Sequence, residues 1–188
     1  MASSRFARGA FGVAAGLLFA GGAAAALAAK PPTFMAAIFD ASGKRLGFAR
    51  FVGVDTGGTQ ITVDVSGLVP GHHGLHVHEV GSCNALRDTS GTATPFGAAG
   101  GHFDPAAAKM HKSPDGGGHA GDLPVLDVDD AGRARLAFYA VNLQVSGPNT
   151  IVGRAIVIHA NPDNYTDTPP NGGSGGRVAC GEIGAAVE

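Results

Sequence analysis

A chain of 188 residues that carries 31 glycines, 11 prolines and no tryptophan leaves little room for long helices, because glycine and proline both interrupt a helical ladder. The formal charge of −2 provides no basic stripe, which argues against a nucleic-acid partner. It does not argue against a small anion, since a local positive funnel can sit in a negative protein.

The first 28 residues read as an export signal and not as fold. Arg5 and Arg8 give a positive start, an apolar stretch follows to Leu27, and no acidic residue occurs before Asp40. Ala26-Leu27-Ala28 offers the small-x-small pattern of a cleavage site. A retained membrane anchor is the competing reading, weakened because the stretch is rich in alanine and glycine. The two arginines are not adjacent and the stretch holds no cysteine, which counts against a twin-arginine signal and against lipid attachment. Cleavage removes two of the 13 basic residues and none of the 15 acidic ones, taking the formal charge from −2 to −4. Residues 29–188 are then expected to form one domain with one core, exported and with no membrane attachment.

The elements that follow read as short strands. Thr33 to Phe39 and Leu46 to Val54 flank the turn Ala41-Ser42-Gly43-Lys44 and predict a hairpin. Thr59 to Val65 alternates as a half-buried strand should, and Leu75 to Val80 is a further strand. Val125 to Val128 and Ala134 to Tyr139 flank Asp129-Asp130-Ala131-Gly132 and predict a second hairpin. Ile151 to Ile158 is apolar on both faces and predicts a central strand, and Arg177 to Ile183 is the last of the strands. About eight short strands predict an all-β sandwich or barrel. Residues 81–123 and 161–176 are too long and irregular to be simple connectors. Such segments are usually functional, or held by metal or disulfide.

Chemistry-bearing residues concentrate there. All eight histidines lie between His72 and His159. His76 and His78 stand two apart on a strand and so share a face, which is metal-ligand geometry; a single histidine there would read as a core residue. His102, His111, His119 and Asp122 lie within about 20 residues of one another and make a plausible tetrahedral zinc set, against the alternative of a polar glycine-rich loop. His159 ends the central strand. Four imidazoles for one metal (His76, His78, His102, His159) and a second set of His102, His111, His119 and Asp122 would require His102 to serve twice. Imidazole permits that, but the residues alone do not prove it. The only two cysteines, Cys83 and Cys180, read in an exported chain as one disulfide, with free thiols or thiolate ligands as alternatives. It would close a loop of nearly a hundred residues, worth about 4–5 kcal/mol in the chain-entropy model.

Three segments carry a family resemblance: Gly71-His72-His73-Gly74-Leu75-His76-Val77-His78-Glu79-Val80-Gly81-Ser82-Cys83, Gly153-Arg154-Ala155-Ile156-Val157-Ile158-His159-Ala160, and Gly176-Arg177-Val178-Ala179-Cys180-Gly181-Glu182-Ile183-Gly184. Together they closely resemble the copper/zinc superoxide dismutases, bacterial periplasmic branch, over essentially the whole mature chain. The resemblance implies a Greek-key sandwich or flattened barrel that disproportionates superoxide to oxygen and hydrogen peroxide. It implies copper at His76, His78, His102 and His159. It implies zinc at His102, His111, His119 and Asp122, with His102 as bridge and proton carrier. Asp163 matches the aspartate that bonds the free nitrogens of His76 and His111, and Arg177 the arginine above the copper. His73 matches a structural histidine with a backbone partner; His72 matches no role and reads as a surface residue. A non-catalytic copper carrier of the same fold is the main alternative and would be expected to lack Arg177 or a copper ligand. A zinc hydrolase needs an open zinc position, which this four-ligand set does not leave. Monomer and homodimer are equally compatible with the residues.

Overall fold

The computed structural model describes residues 30–186. The strands are β1 (Thr33–Asp40), β2 (Arg45–Gly53), β3 (Thr59–Ser66), β4 (Gly71–His73), β5 (Leu75–His78), β6 (Leu86–Arg87), β7 (Ala93–Thr94), β8 (Leu126–Val128), β9 (Arg133–Ala140), β10 (Ala155–His159), β11 (Arg177–Glu182) and β12 (Gly184–Ala186). Short 3-10 turns occur at Gly97–Ala99 and Pro170–Gly173. Among the described residues no helix is long and apolar enough to cross a membrane. The expected export signal, residues 1–28, lies outside the described residues.

One antiparallel sheet runs β5-β10-β11-β1-β2-β3-β9, with β12 beside β1. Phe51, Ile61 and Val63 from β2 and β3 join Leu75, Val77, Ile156 and Ile158 from β5 and β10 in one buried cluster. Strands from both halves of the sheet therefore face a common interior, and the sheet is curled around it as the all-β reading expects.

The first hairpin forms as predicted, with β1 and β2 in register from Thr33↔Val52 to Ile38↔Gly47 and a one-residue shift at Phe39↔Arg45 beside the turn. The second prediction needs correction. The chain does turn at Asp129–Arg133, where Asp129 N–H bonds Arg133 O at 2.8 Å. Beyond that rung the strands part: β8 pairs with β4, and β9 pairs with β3. Leu126 and Val128 are buried in the core, so this segment is set by what its apolar side chains cover and not by the nearest turn. The central strand is also shorter than its apolar run. Ile151 is fully buried, yet only Ala155–His159 is strand, because Arg154 N–H closes a turn onto Ile151 O at 3.1 Å. β10 lies between β5 and β11, and all five of its residues are buried.

The free edge of β5 is what builds the site. Two pieces of the long 81–123 segment lie along it. Phe103 N–H bonds Val77 O at 2.8 Å, Val77 N–H bonds Gly121 O at 2.9 Å, and Leu123 N–H bonds Leu75 O at 3.2 Å. These rungs place His102 opposite His78 and Asp122 opposite His76.

Candidate metal centre

On β5, Leu75 and Val77 point into the core while His76 and His78 point away from it, as the period of two requires. On the next strand Val157 faces His76 in register, and His159 follows at its end. His76, His78, His102 and His159 each offer a nitrogen such that all four lie within 4.8 Å of one another. His78 Nε2 and His159 Nε2 stand 3.3 Å apart. Their opposite nitrogens are tied to backbone, His78 Nδ1–H to Gly100 O at 2.9 Å and His159 Nδ1–H to Gly175 O at 3.2 Å. Those ties aim both Nε2 atoms inward.

The second cluster centres on one carboxylate oxygen. Asp122 Oδ1 lies 2.9 Å from His102 Nδ1, 3.0 Å from His111 Nδ1 and 3.3 Å from His119 Nδ1. Here His76, His102, His111 and Asp122 each offer an atom within 4.8 Å of the others, and His119 joins them through Asp122. Asp163 joins the two clusters, accepting from His76 Nε2 at 2.6 Å and from His111 Nε2 at 2.8 Å.

The residues fit a metal pair. His76 Nδ1 is buried without a hydrogen-bond partner, which is costly unless something else binds it, and His111 Nδ1 faces only the Asp122 carboxylate. Zinc bonds of 2.0–2.1 Å require ligand atoms about 3.3 Å apart around a tetrahedron, close to the spacing seen about Asp122. Burial, the largest effect, pushes His78 down to about 2, His159 to about 3 and His76 to about 4, and lowers His102. Four neutral imidazoles therefore present lone pairs at neutral pH. Burial would also lower His111, but the carboxylates of Asp122 and Asp163 on either side overcome it and raise it to about 9. For both carboxylates burial is outweighed by hydrogen bonds, from His102 and His111 to Asp122 and from His111 and His76 to Asp163, and each is held far below the usual carboxylate range. Two buried anions holding a proton on a histidine is an arrangement in which a cation can take the proton's place.

Above the first cluster lies a cleft of about 260 Å³ whose walls include His78, His102, His159 and Arg177. The half-buried Arg177 guanidinium is held by Phe96 O at 2.6 Å and Gly100 O at 2.5 Å. The segment carrying those carbonyls is fastened by the Cys83–Cys180 disulfide, which the structure contains as expected. Phe96, Ala99, Ala155, Val157 and Cys180 pack around it.

The family model for copper/zinc superoxide dismutase matches residues 46–183. The chain belongs to the copper/zinc superoxide dismutases. It is 47% identical over 153 residues to the copper–zinc superoxide dismutase of Deinococcus radiodurans, covering 80% of this chain and 83% of that one. To the Escherichia coli K12 enzyme it is 42% identical over 128 residues, covering 67% and 72%. The solved structure of the Brucella abortus enzyme superposes with a TM-score of 0.72 at 36% identity, covering 80% of this chain and 99% of that one. The protein is thus an oxidoreductase that converts superoxide to oxygen and hydrogen peroxide with copper and zinc as cofactors.

Every residue singled out from the sequence lies at or against this site, with two exceptions that were expected. His73 lies between His159 O at 2.6 Å and Val69 O at 2.8 Å, and the exposed His72 pairs with Asp127. Two residues were missed. Asp167 accepts from His111 N–H at 2.8 Å, and Tyr165 stacks on the His111 ring while its N–H bonds Asp163 Oδ1 at 2.7 Å. The alternate spacing Asp163-Asn-Tyr165-Thr-Asp167 was the available signal.

Proposed function

We propose that His76, His78, His102 and His159 hold the copper, that His102, His111, His119 and Asp122 hold the zinc, and that His102 is shared. The observation that carries this is the His102 ring itself. Its Nδ1 is turned to Asp122 at 2.9 Å, and of the two histidines common to both four-residue groups, His76 and His102, it is His76 whose second nitrogen is already taken, by Asp163 at 2.6 Å. Copper, when bound, supplies reversible one-electron exchange; zinc has no redox role. His102 would take a proton at its other ring nitrogen, Nε2, as the first superoxide gives up an electron and leaves as oxygen, and would return it to the second superoxide as that gains the electron; with a further proton from water, two superoxides and two protons yield one oxygen and one hydrogen peroxide. Arg177 offers a fixed charge and a forked donor to the incoming anion. Asp163 locks the rings of His76 and His111 and so keeps both lone pairs aimed. Cys83 and Cys180 keep the Arg177-bearing wall in place.

The test is metal analysis of the purified protein beside a superoxide-decay assay, for the parent and for His102→Ala. One copper and one zinc per chain with fast decay, lost in the variant, supports the assignment. Full activity in His102→Ala refutes it.

We also infer that residues 1–28 are a cleaved export signal and that residues 29–188 act in the periplasm or as a secreted protein free of the membrane, as monomer or homodimer. An oxidising compartment suits the disulfide. Mass spectrometry of the secreted or periplasmic fraction reads the new N-terminus, and light scattering reads the assembly.

A further inference from the structure

One peptide unit stands between the copper-side histidine and the arginine. Gly100 O accepts from His78 Nδ1–H at 2.9 Å and from Arg177 Nη2–H at 2.5 Å. The other end of the same planar unit, Gly101 N–H, donates to Glu79 Oε1 at 2.8 Å. The backbone has been shaped to admit that carboxylate. Gly100 adopts φ 76° and ψ −154°, a region essentially reserved for glycine, and a Cβ there would lie 2.7 Å from Glu79 Oε1. Glu79 is itself anchored by its main chain, through Glu79 N–H to Gly101 O at 3.0 Å and Arg154 Nη1–H to Glu79 O at 2.6 Å.

We propose that Glu79 is a positioning residue for the dismutase reaction, fixing through the Gly100–Gly101 peptide both the ring of His78 and the guanidinium of Arg177. An anionic acceptor at the N–H end restrains rotation of the peptide plane and polarises its carbonyl, strengthening both bonds that the carbonyl receives. Because Glu79 touches neither substrate nor metal, it acts only through this unit. The inference rests on the reading of Arg177 as the anion-binding residue.

Glu79 is exposed at the end of β5, so a competing account must be separated: a carboxylate near the cleft would repel superoxide by charge alone. Glu79→Ala and Glu79→Gln remove the same charge, but only glutamine keeps an oxygen that can accept from Gly101 N–H. Azide serves as the small-anion probe. Its dissociation constant is measured by calorimetry on the copper- and zinc-loaded protein, and the exchange rate of His78 Nδ1–H is measured by NMR on the reduced, loaded protein. Residues that orient a ligand's partner typically change its binding ten- to a hundredfold, and exposure reduces that here to about three- to tenfold. Glu79→Ala is expected to weaken azide by that factor and to speed His78 proton exchange at least as much, with metal content unchanged. Glu79→Gln is expected to stay within about twofold of the parent on both readouts.

Equal behaviour of the two variants overturns the proposal in favour of charge alone. Unchanged azide binding and exchange in Glu79→Ala also overturns it when Arg177→Ala weakens azide. If Arg177→Ala leaves azide binding untouched, the reading of Arg177 fails first and this proposal falls with it.

Discussion

The sharpest perturbation of the proposed zinc half replaces none of its ligands. Gly172 sits at φ +70° against the Asp163 carboxylate. A Cβ there would fall inside van der Waals contact of Asp163 Oδ1 and 2.6 Å from both Asp163 Cγ and His111 Nε2. Gly172→Ala therefore costs about 1–2 kcal/mol for an alanine in the left-handed region. It also forces the carboxylate off His111 Nε2, a charged hydrogen bond of the kind worth about 1.5–3 kcal/mol. Together these remove about 3–4 kcal/mol of stability from the metal-free protein, a fall in Tm of about 10 °C for a domain of this size. The freed His111 ring loses its aim, so zinc affinity should drop about ten- to a hundredfold. Tm of the metal-free protein and chelator competition for zinc read the two effects. Gly176→Ala, in open space on the same segment, is the control and should change neither. A Gly172→Ala protein with parental Tm and parental zinc affinity would refute the view that Asp163 is wedged in place.

Four further outcomes follow from the same geometry. His159→Ala should lose copper and keep most zinc by elemental analysis; equal loss of zinc would collapse the two proposed sites into one. Asp122→Asn should lose zinc before copper, because Asp122 supplies the one carboxylate on which three imidazoles converge, and full zinc content would show that assignment to be wrong. Arg177→Glu should lower the superoxide decay rate at low salt by about tenfold or more with both metals retained, the gap narrowing as salt rises, and decay kinetics equal to the parent would remove its role. In the metal-free protein, His78 and His159 have native values of about 2 and about 3, below the unfolded value of about 6.5, so their contribution is present above pH 6.5 and lost as pH falls. That loss is about 1.4 kcal/mol for each by pH 5.5. His111, raised to about 9, contributes fully below 6.5 and loses its share as pH rises through 9. Tm should therefore fall on both sides of neutrality, and a flat or rising Tm from pH 7 to 5.5 would contradict this.

The parts of the site that were legible in the sequence were the local ones. His76 and His78 share a face because a strand alternates, and this needs no knowledge of the rest of the chain. The order of ligands along the chain was enough for the family resemblance. What brings His102 and Asp122 to them was not legible: two stretches without strand periodicity hydrogen-bond to the open edge of β5, a pairing set by backbone groups that every residue has. The same limit explains β8 and β9. A turn motif was visible between them, but their ladder partners lie far away in sequence. Ile151 shows the other limit, since an apolar run reads the same whether its residues enter a strand or a buried turn. Tyr165 and Asp167 escaped because their contacts with His111 cross more than 50 residues.

The two proposed halves are made in different ways. His76, His78 and His159 are carried on neighbouring strands, so closing the β5–β10 ladder already brings them together. His111 and His119 ride on a stretch with no strand of its own, returned to the sheet only at Gly121–Leu123. Three of the four proposed copper ligands are thus set once the β5–β10 ladder has closed, whereas two of the proposed zinc ligands are carried by a loop. The strand-borne half would thus keep its spacing when the loop is disturbed, and what it would lose is His102, the one proposed copper ligand that the loop supplies.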